Sequence, residues 1–304
     1  MIVELPQTTI SKVGKKLQEL RESGGVVSLG RVLTLVVETD FEHLEQAVSC
    51  ANGASRLHPS RIIVLAQSPD AAAQSRLDVE IRVGGDAGAS EVIILRAQGE
   101  VLSNKESLVT GLLLPDAPVV AWWPAQSPEN PFGTEIGAIA SRRITDSANE
   151  TDPIAFLHEL ARNYQPGDGD MAWTRITLWR SQLTALMDPH QGRNVVSATV
   201  FGAQSSPSAH LLADWLRLNL AVEVQLVSNL DGNPVQGIGG VEINFDSGKL
   251  SMIRRDQVAH ISQPDAPDSS VLLPRRTDLD SLVEDMRFLG EDLGYAQVLL
   301  KEYR

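Results

Sequence analysis

Val32-Leu33-Thr34-Leu35-Val36-Val37, then Asp40-Phe41 running into Leu44, Val48 and Ala51, then Arg61-Ile62-Ile63-Val64-Leu65, is the stretch on which the fold turns. The two outer runs are almost unbroken apolar residues, the pattern of strands buried on both faces. Between them Phe41, Leu44, Val48 and Ala51 recur at helical spacing behind Asp40, a residue type that caps helices. Strand, helix, strand in this rhythm is the βαβ unit of an α/β sheet. Upstream, Ile10, Val13, Leu17 and Leu20 predict an amphipathic helix over residues 8–22, closing near Gly24-Gly25. Downstream, Leu77 to Val83 and Val92 to Leu95 read as strands. Gly84-Gly85-Asp86-Ala87-Gly88 between them reads as a turn, because a phosphate-cradling loop opens a helix and here a strand follows.

A helix from Ser103 to Leu114 leads into Val119-Val120-Ala121-Trp122-Trp123, flanked by Pro118 and Pro124. After a proline-rich loop and a short helix come Arg142-Arg143-Ile144-Thr145-Asp146-Ser147, then a helix marked by Ile154, Leu157, Leu160, Ala161 and Tyr164, with Asp152 as cap and Pro153 at its first position. Pro166-Gly167-Asp168-Gly169-Asp170 breaks that helix and is the best domain boundary. The next helix carries Ala172, Ile176, Trp179, Leu183 and Leu186 on one face, leaving Trp173 and Arg180 off its centre to look outward. Val195 to Phe201 is a strand, residues 202–208 a loop, and Leu211, Leu212, Trp215 and Leu218 the stripe of the following helix. Val222 to Val227 is a further strand. Residues 241–245 and 250–253 alternate around Asp246-Ser247-Gly248-Lys249, a β-hairpin. The 3,4 spacing of Leu279, Leu282, Met286, Leu289, Leu293, Ala296 and Leu300 predicts one long helix packed across its own domain. The expected architecture is α/β with two domains, residues 1–165 and 166–304, each a mixed or mostly parallel sheet flanked by helices.

Composition bounds the function. At 304 residues, 42% apolar and 21% charged, the chain can bury a core without staples. Its one cysteine, Cys50, can form no intrachain disulfide and sits beside Val48 and Ala51 as a small buried hydrophobe. Met-Ile-Val-Glu-Leu-Pro at the N-terminus is not a signal-peptide pattern, and no stretch approaches the ~20 apolar residues of a membrane helix, so a cytoplasmic protein is expected. A net charge of −13 repels phosphate backbones and argues against nucleic-acid binding.

Reactive motifs are missing. Six scattered histidines form no H-E-x-x-H pair, there is no G-x-S-x-G elbow, and neither dinucleotide nor P-loop glycine pattern occurs. Asp168 and Asp170 alone are too few for a metal site and favour a helix N-terminus instead. What stands out is residues 115–180, which hold four of the five tryptophans and five arginines. Trp122 and Trp123 point to opposite faces of their strand, each packing under a helix or lining the crevice at the carboxyl end of an α/β sheet. Arg142 and Arg143, beside Asp146, form a solvated edge, a fixed ion pair or an anchor for an acidic partner. Tryptophan and arginine dominate interface hot spots, so Trp122, Trp123, Arg142, Arg143, Asp146, Trp173, Arg175 and Arg180 are the candidate partner-binding residues.

His58-Pro59-Ser60-Arg61-Ile62-Ile63-Val64-Leu65, Leu114-Pro115-Asp116-Ala117-Pro118-Val119 with Trp122-Trp123, Ser141-Arg142-Arg143-Ile144-Thr145-Asp146-Ser147, and Ala172-Trp173-Thr174-Arg175 through Trp179-Arg180 follow one another in order. Together they resemble the glucose-6-phosphate dehydrogenase assembly protein family (OpcA) of actinobacteria and cyanobacteria. The resemblance implies a non-catalytic activator, without cofactor or metal, that binds glucose-6-phosphate dehydrogenase in the pentose phosphate pathway. A sugar-phosphate-binding enzyme or sensor using residues 202–208 is the alternative. Cyanobacterial relatives are associated with thiol control, which the lone Cys50 cannot provide through an internal disulfide. Cys50→Ser is therefore expected to leave any oxidant response of dehydrogenase activation as it is in the parent. A response present in the parent and lost in the variant would reveal an intermolecular thiol switch.

Overall fold

The computed structural model describes residues 1–23, 30, 32–68, 70, 74–83 and 91–304. The expected turn at 84–88 and the expected helix end at Gly24-Gly25 lie outside them. The first sheet has eight strands in the order β1-β4-β5-β3-β2-β6-β7-β8. These are β1 (Ile2–Leu5), β2 (Leu33–Asp40), β3 (Ser60–Gln67), β4 (Arg76–Val83), β5 (Glu91–Gln98), β6 (Val119–Trp122), β7 (Arg142–Thr145) and β8 (Asp168–Asp170). From β5 to β8 every neighbouring pair is parallel, and β4 and β1 are added antiparallel at one edge.

Both faces of this sheet are covered, which is why the middles of β2 and β3, Leu35-Val36-Val37 and Ile62-Ile63-Val64-Leu65-Ala66, are apolar on both sides. Helices α1 (Ile10–Ser23), α3 (Lys105–Thr110) and α4 (Glu135–Ala138) bury Val13, Leu17, Leu108, Val109 and Ile136 against Val36, Ile63, Leu65 and Trp123. Helix α2 (Leu44–Ser55) buries Leu44, Val48 and Ala51 on the other face against Leu35, Val37, Ile62, Val64 and Trp122. The two adjacent tryptophans thus bury into opposite layers, as pleating requires. Asp40 does not cap α2. A turn intervenes, His43 is the N-cap, Phe41 is left 40% exposed, and Asp40 accepts from the His43 N–H instead at 2.8 Å.

The second sheet has six strands in the order β10-β9-β13-β14-β15-β16. Strands β9 (Val195–Gly202) and β10 (Val224–Val227) are parallel, joined through α8 (Pro207–Leu220), while β11 (Asn229–Leu230) and β12 (Asn233–Pro234) form a separate small pair. The expected hairpin is β13 (Ile238–Phe245) and β14 (Gly248–Arg255), continued by β15 (Val258–Gln263) and β16 (Ala266–Leu272) in an antiparallel meander. One face packs under α5 (Pro153–Asn163), α6 (Met171–Thr174), α7 (Thr177–Met187), α8 and the C-terminal α10 (Leu293–Glu302). The other face carries the alternate residues, such as Glu242, His260 and Ser262, as expected for an antiparallel sheet with one wet side. Strand β8 belongs to the first sheet although it lies beyond residue 165.

Two expected helices are each two helices. The 172–186 stripe is interrupted at Arg175-Ile176 between α6 and α7. The C-terminal stripe breaks after α9 (Asp278–Arg287): Phe288 is extended and Asp292 starts α10 as its N-cap, accepting from the Tyr295 N–H at 3.0 Å. The break sends the two pieces to different places. Helix α10 stays with the second sheet, whereas α9 crosses back and lies on α2, putting Leu282 and Met286 in one cluster with Leu44 and Val48. A Cβ at Gly53 of α2 would stand 2.8 Å from Leu279 Cδ1, so the glycine permits the close approach. The expectation that the last helix packs only on its own domain is corrected here. Leu282→Ala is therefore expected to cost about 2–5 kcal/mol of stability by cavity formation, read from the shift of the urea midpoint. Faster amide exchange in α2, far away in sequence, should accompany it.

Candidate functional site

Strand β7 has two arginines at adjacent positions, and both are buried, with Arg142 4% and Arg143 3% exposed. They point to opposite sides. Arg143 donates through Nε to Asp168, and through its Nη atoms to the carbonyls of Ala140 at 2.7 Å and Pro166 at 2.6 Å. Arg142 donates to Asp285 of α9. Asp285 also accepts from Thr174 Oγ1 at 2.5 Å, which ties α9 to α6 as well as to the first sheet. The sequence around β8 suits this. A Cβ at Gly169 would lie 2.3 Å from Arg142 Nη2, and Gly167, at φ +95°, would bring one within 2.5 Å of the Ser141 carbonyl. Glycines make room for the guanidinium groups and the aspartates between them supply the charge.

The next shell of the join repeats the chemistry. Arg175 makes a bidentate pair with Asp146, both contacts 2.6 Å, and reaches Asp278 at 2.9 Å. Asp170 accepts from Thr145 Oγ1, Ser147 N, Ser147 Oγ and Ala172 N at 2.7–2.9 Å. Burial first, and the Asp146 charge second, raise the Asp170 carboxyl above the ordinary carboxylate range against those four donors. Trp173 donates its indole N–H to Asp292 at 2.8 Å, and the Arg180 guanidinium lies over the Trp173 ring, 3.7 Å from its centroid. Burial pushes Arg180 down to about 10.

Six of the eight sequence candidates thus meet at the join: Arg142, Arg143, Asp146, Trp173, Arg175 and Arg180. Trp122 and Trp123 are not brought together; the first donates to Met171 Sδ at 3.2 Å and the second to Glu38 at 3.0 Å, on opposite faces of the sheet. Trp173 was expected to look outward and is 2% exposed, because the α9–α10 link covers it. The solvated-edge reading of Arg142-Arg143 is likewise replaced by buried ion pairs. The acidic partners on the C-terminal helices, Asp278, Asp285 and Asp292, were missed; sequence shows them only as capping and surface residues of a polar stripe.

A second concave region lies at the carboxyl ends of β2 and β6, where the strand order reverses and α/β sheets take their ligands. A cavity of about 550 Å³ opens there, lined by Asp40, Glu42, His43, Cys50, Gln126 and Asp278 among others. His43 Nδ1 is 2.8 Å from Asp40 Oδ1. In neighbouring recesses on the Trp123 face of the sheet, Glu38 takes the Trp123 indole, Gln67 Nε2 at 2.6 Å and Lys105. The turn after β2 therefore presents carboxylates where a pyrophosphate loop presents glycines and bare N–H groups, and it repels phosphate. Cys50 at this cavity is pushed up to about 12 by burial and by Asp278 and Asp280, which keeps it a thiol. Among the described residues no group of three His, Cys, Asp or Glu side chains is arranged to hold a metal ion, and no helix is long and apolar enough to cross a membrane.

Residues 202–208 cap α8 as ordinary chemistry predicts: Ser206 accepts from Ala209 N at 3.3 Å, and Pro207 occupies the first position.

Two family models match this chain in succession. The model described as the glucose-6-phosphate dehydrogenase subunit N-terminal domain covers residues 51–162, and that of the C-terminal domain covers residues 166–299. The chain belongs to the OpcA family. A relative from Synechocystis sp., an OxPP cycle protein OpcA, is 31% identical over 110 residues, a match spanning 35% of this chain and 23% of the relative's length. Among solved structures, biliverdin reductase from Synechocystis sp. PCC 6803 superposes with a TM-score of 0.40 and 10% identity, over 89% of this chain and 96% of that one. UDP-N-acetylglucosamine 3-dehydrogenase from Acidithiobacillus ferrooxidans gives a TM-score of 0.39 at 9% identity, over 88% and 95%. Likeness at that level carries no argument about chemistry. The gap between the two OpcA models, residues 163–165, immediately precedes the turn into β8 and its arginine partners.

Removing one partner of a buried pair strands the other charge, at a cost of about 3–5 kcal/mol. Arg143→Glu adds repulsion with Asp168 and is expected to lose at least that much stability in urea unfolding. An unchanged midpoint with selective loss of partner binding would return Arg143 to the surface reading.

Proposed function

We propose that this OpcA-family protein binds glucose-6-phosphate dehydrogenase and promotes its assembly and activity in the pentose phosphate pathway, acting as a cytoplasmic allosteric activator that catalyses no reaction itself. The observation that carries this reading is the tandem of both OpcA domains across residues 51–299. The acidic switch-point cavity supports the non-catalytic part, since Asp40 and Glu42 stand where a nicotinamide cofactor would need its pyrophosphate held. Arg175, whose side chain is 20% exposed, and the half-buried Arg180 are the candidates we keep for direct contact with the dehydrogenase. Arg142, Arg143, Asp146 and Trp173 act from within, by fixing the join that presents the outer surface, while Trp122 and Trp123 pack on the two faces of the first sheet.

The test is co-purification followed by kinetics. The dehydrogenase is expected to be retained on the immobilised protein and to turn over faster in its presence. The protein alone is expected to reduce neither NAD nor NADP with glucose 6-phosphate. Cofactor reduction by dehydrogenase-free protein, or a dehydrogenase indifferent to it in both binding and rate, would overturn the reading.

A further inference from the structure

A third cavity, of about 210 Å³, lies where the first turn of α8, the start of β13, the end of β14, the α6–α7 break and the link before α9 converge. Four arginines line it: Arg175, Arg254, Arg275 and Arg276. No carboxylate does among the described residues. That is the reverse of the chain as a whole, where 39 acidic residues face 26 basic ones.

The four are not equivalent. Arg175 is held by Asp146 and Asp278, and Arg276 reaches Glu284 at 3.3 Å. Arg254 donates to the Ile238 carbonyl and lies over the Trp179 ring, 5.3 Å from its centroid. Arg275 donates to the Gln236 carbonyl at 2.8 Å. Neither has a carboxylate partner among the described residues, so two positive charges at one cavity are uncompensated. Burial and the neighbouring Arg275 charge push Arg254 down to about 10. An anion between the two would remove that repulsion.

The rest of the lining adds two hydroxyls, of which Ser208 Oγ already donates to the Ala172 carbonyl at 2.8 Å. Ser206 and Ser208 open α8, a 14-residue helix whose positive dipole end lies at this cavity. Pro207 has no N–H and those of Ala209 and His210 are taken by Ser206, so the helix end contributes its dipole and at most one first-turn N–H, that of Ser208. Gly237 adopts φ +65°, and a Cβ there would stand 2.8 Å from Arg275 Nη1, so the glycine admits the guanidinium.

We propose that this cavity is a binding site for a small phosphate monoester, held by Arg254, Arg275 and the α8 N-terminus. Two uncompensated guanidinium forks match a dianion with several acceptor oxygens better than a single carboxylate. The volume is below the ~300–1,000 Å³ of sites for drug-sized ligands, which selects a small phosphorylated metabolite. The site lies in the second family domain and does not depend on the dehydrogenase partnership proposed above.

The experiment is calorimetric titration of the full chain with inorganic phosphate and with a hexose 6-phosphate, at constant ionic strength, with the unphosphorylated hexose as control. Both phosphates are expected to bind, the ester more tightly, and the free hexose not at all. Each lost charge-assisted contact should weaken binding about tenfold. Arg275→Gln, at an exposed side chain, tests this without threatening the fold, and Arg254→Gln tests the half-buried member; circular dichroism melting checks that both are folded. No heat beyond that of sodium chloride overturns the proposal, as does undiminished binding in folded Arg275→Gln. Binding of inorganic phosphate without the ester overturns the monoester assignment. A cavity indifferent to phosphate whose Arg275→Gln variant loses dehydrogenase capture would belong to a partner's carboxylate, and that too overturns it.

Discussion

Two guanidinium groups buried in one four-residue strand set the terms for the rest of the molecule. Taking an ion out of water costs several kcal/mol even after relaxation, and the cost is recovered only with good geometry and full hydrogen bonding. Arg143 meets that condition through Asp168 and the carbonyls of Ala140 and Pro166, whereas Arg142 is paired with Asp285 but keeps a buried Nε without a partner among the described residues. The two draw on the loop before β7, strand β8 and helix α9, with α6 bound to Asp285 through Thr174. Each piece is then fixed in place by the pair it serves. The two sheets are joined through this polar knot, with the apolar clusters packed around it.

The apolar architecture was legible and the polar knot was not. Strands β2 and β3, helix α2 and the β13–β14 hairpin each declare themselves through period and composition, because burial on one or both faces dictates residue type directly. Strand β7 was open to three readings from its composition, a wet edge, a fixed ion pair or an anchor for an acidic partner, and only the distant Asp168 and Asp285 decide for the ion pair and make it a core element. The glycines at 167 and 169 were visible but read as a boundary, since nothing local tells that they clear space for side chains arriving from another strand. The C-terminal stripe misled in the opposite way. Leu289 and Leu293 keep the 3,4 spacing across the break, so periodicity alone continues the helix. Gly290 and the capping Asp292 were the signs of a stop.

Electrostatics divides the concave surface between the two halves. The switch-point cavity of the first sheet is lined by carboxylates, with Lys105 taken up by Glu38 nearby. The cavity at the second sheet is lined by arginines. Each sign disfavours what the other attracts, so between these two recesses a phosphorylated molecule is drawn to the one at the second sheet.

The return of α9 onto α2 also bears on synthesis. A chain made from its N-terminus usually folds its first domain before the second has emerged. Here the side of α2 around Gly53, which meets Leu279, has no cover from α9 until residues 278–287 have left the ribosome. The first sheet can form early, but its final layer arrives last. Until then the nascent chain carries an open patch on α2 of the kind that chaperones bind.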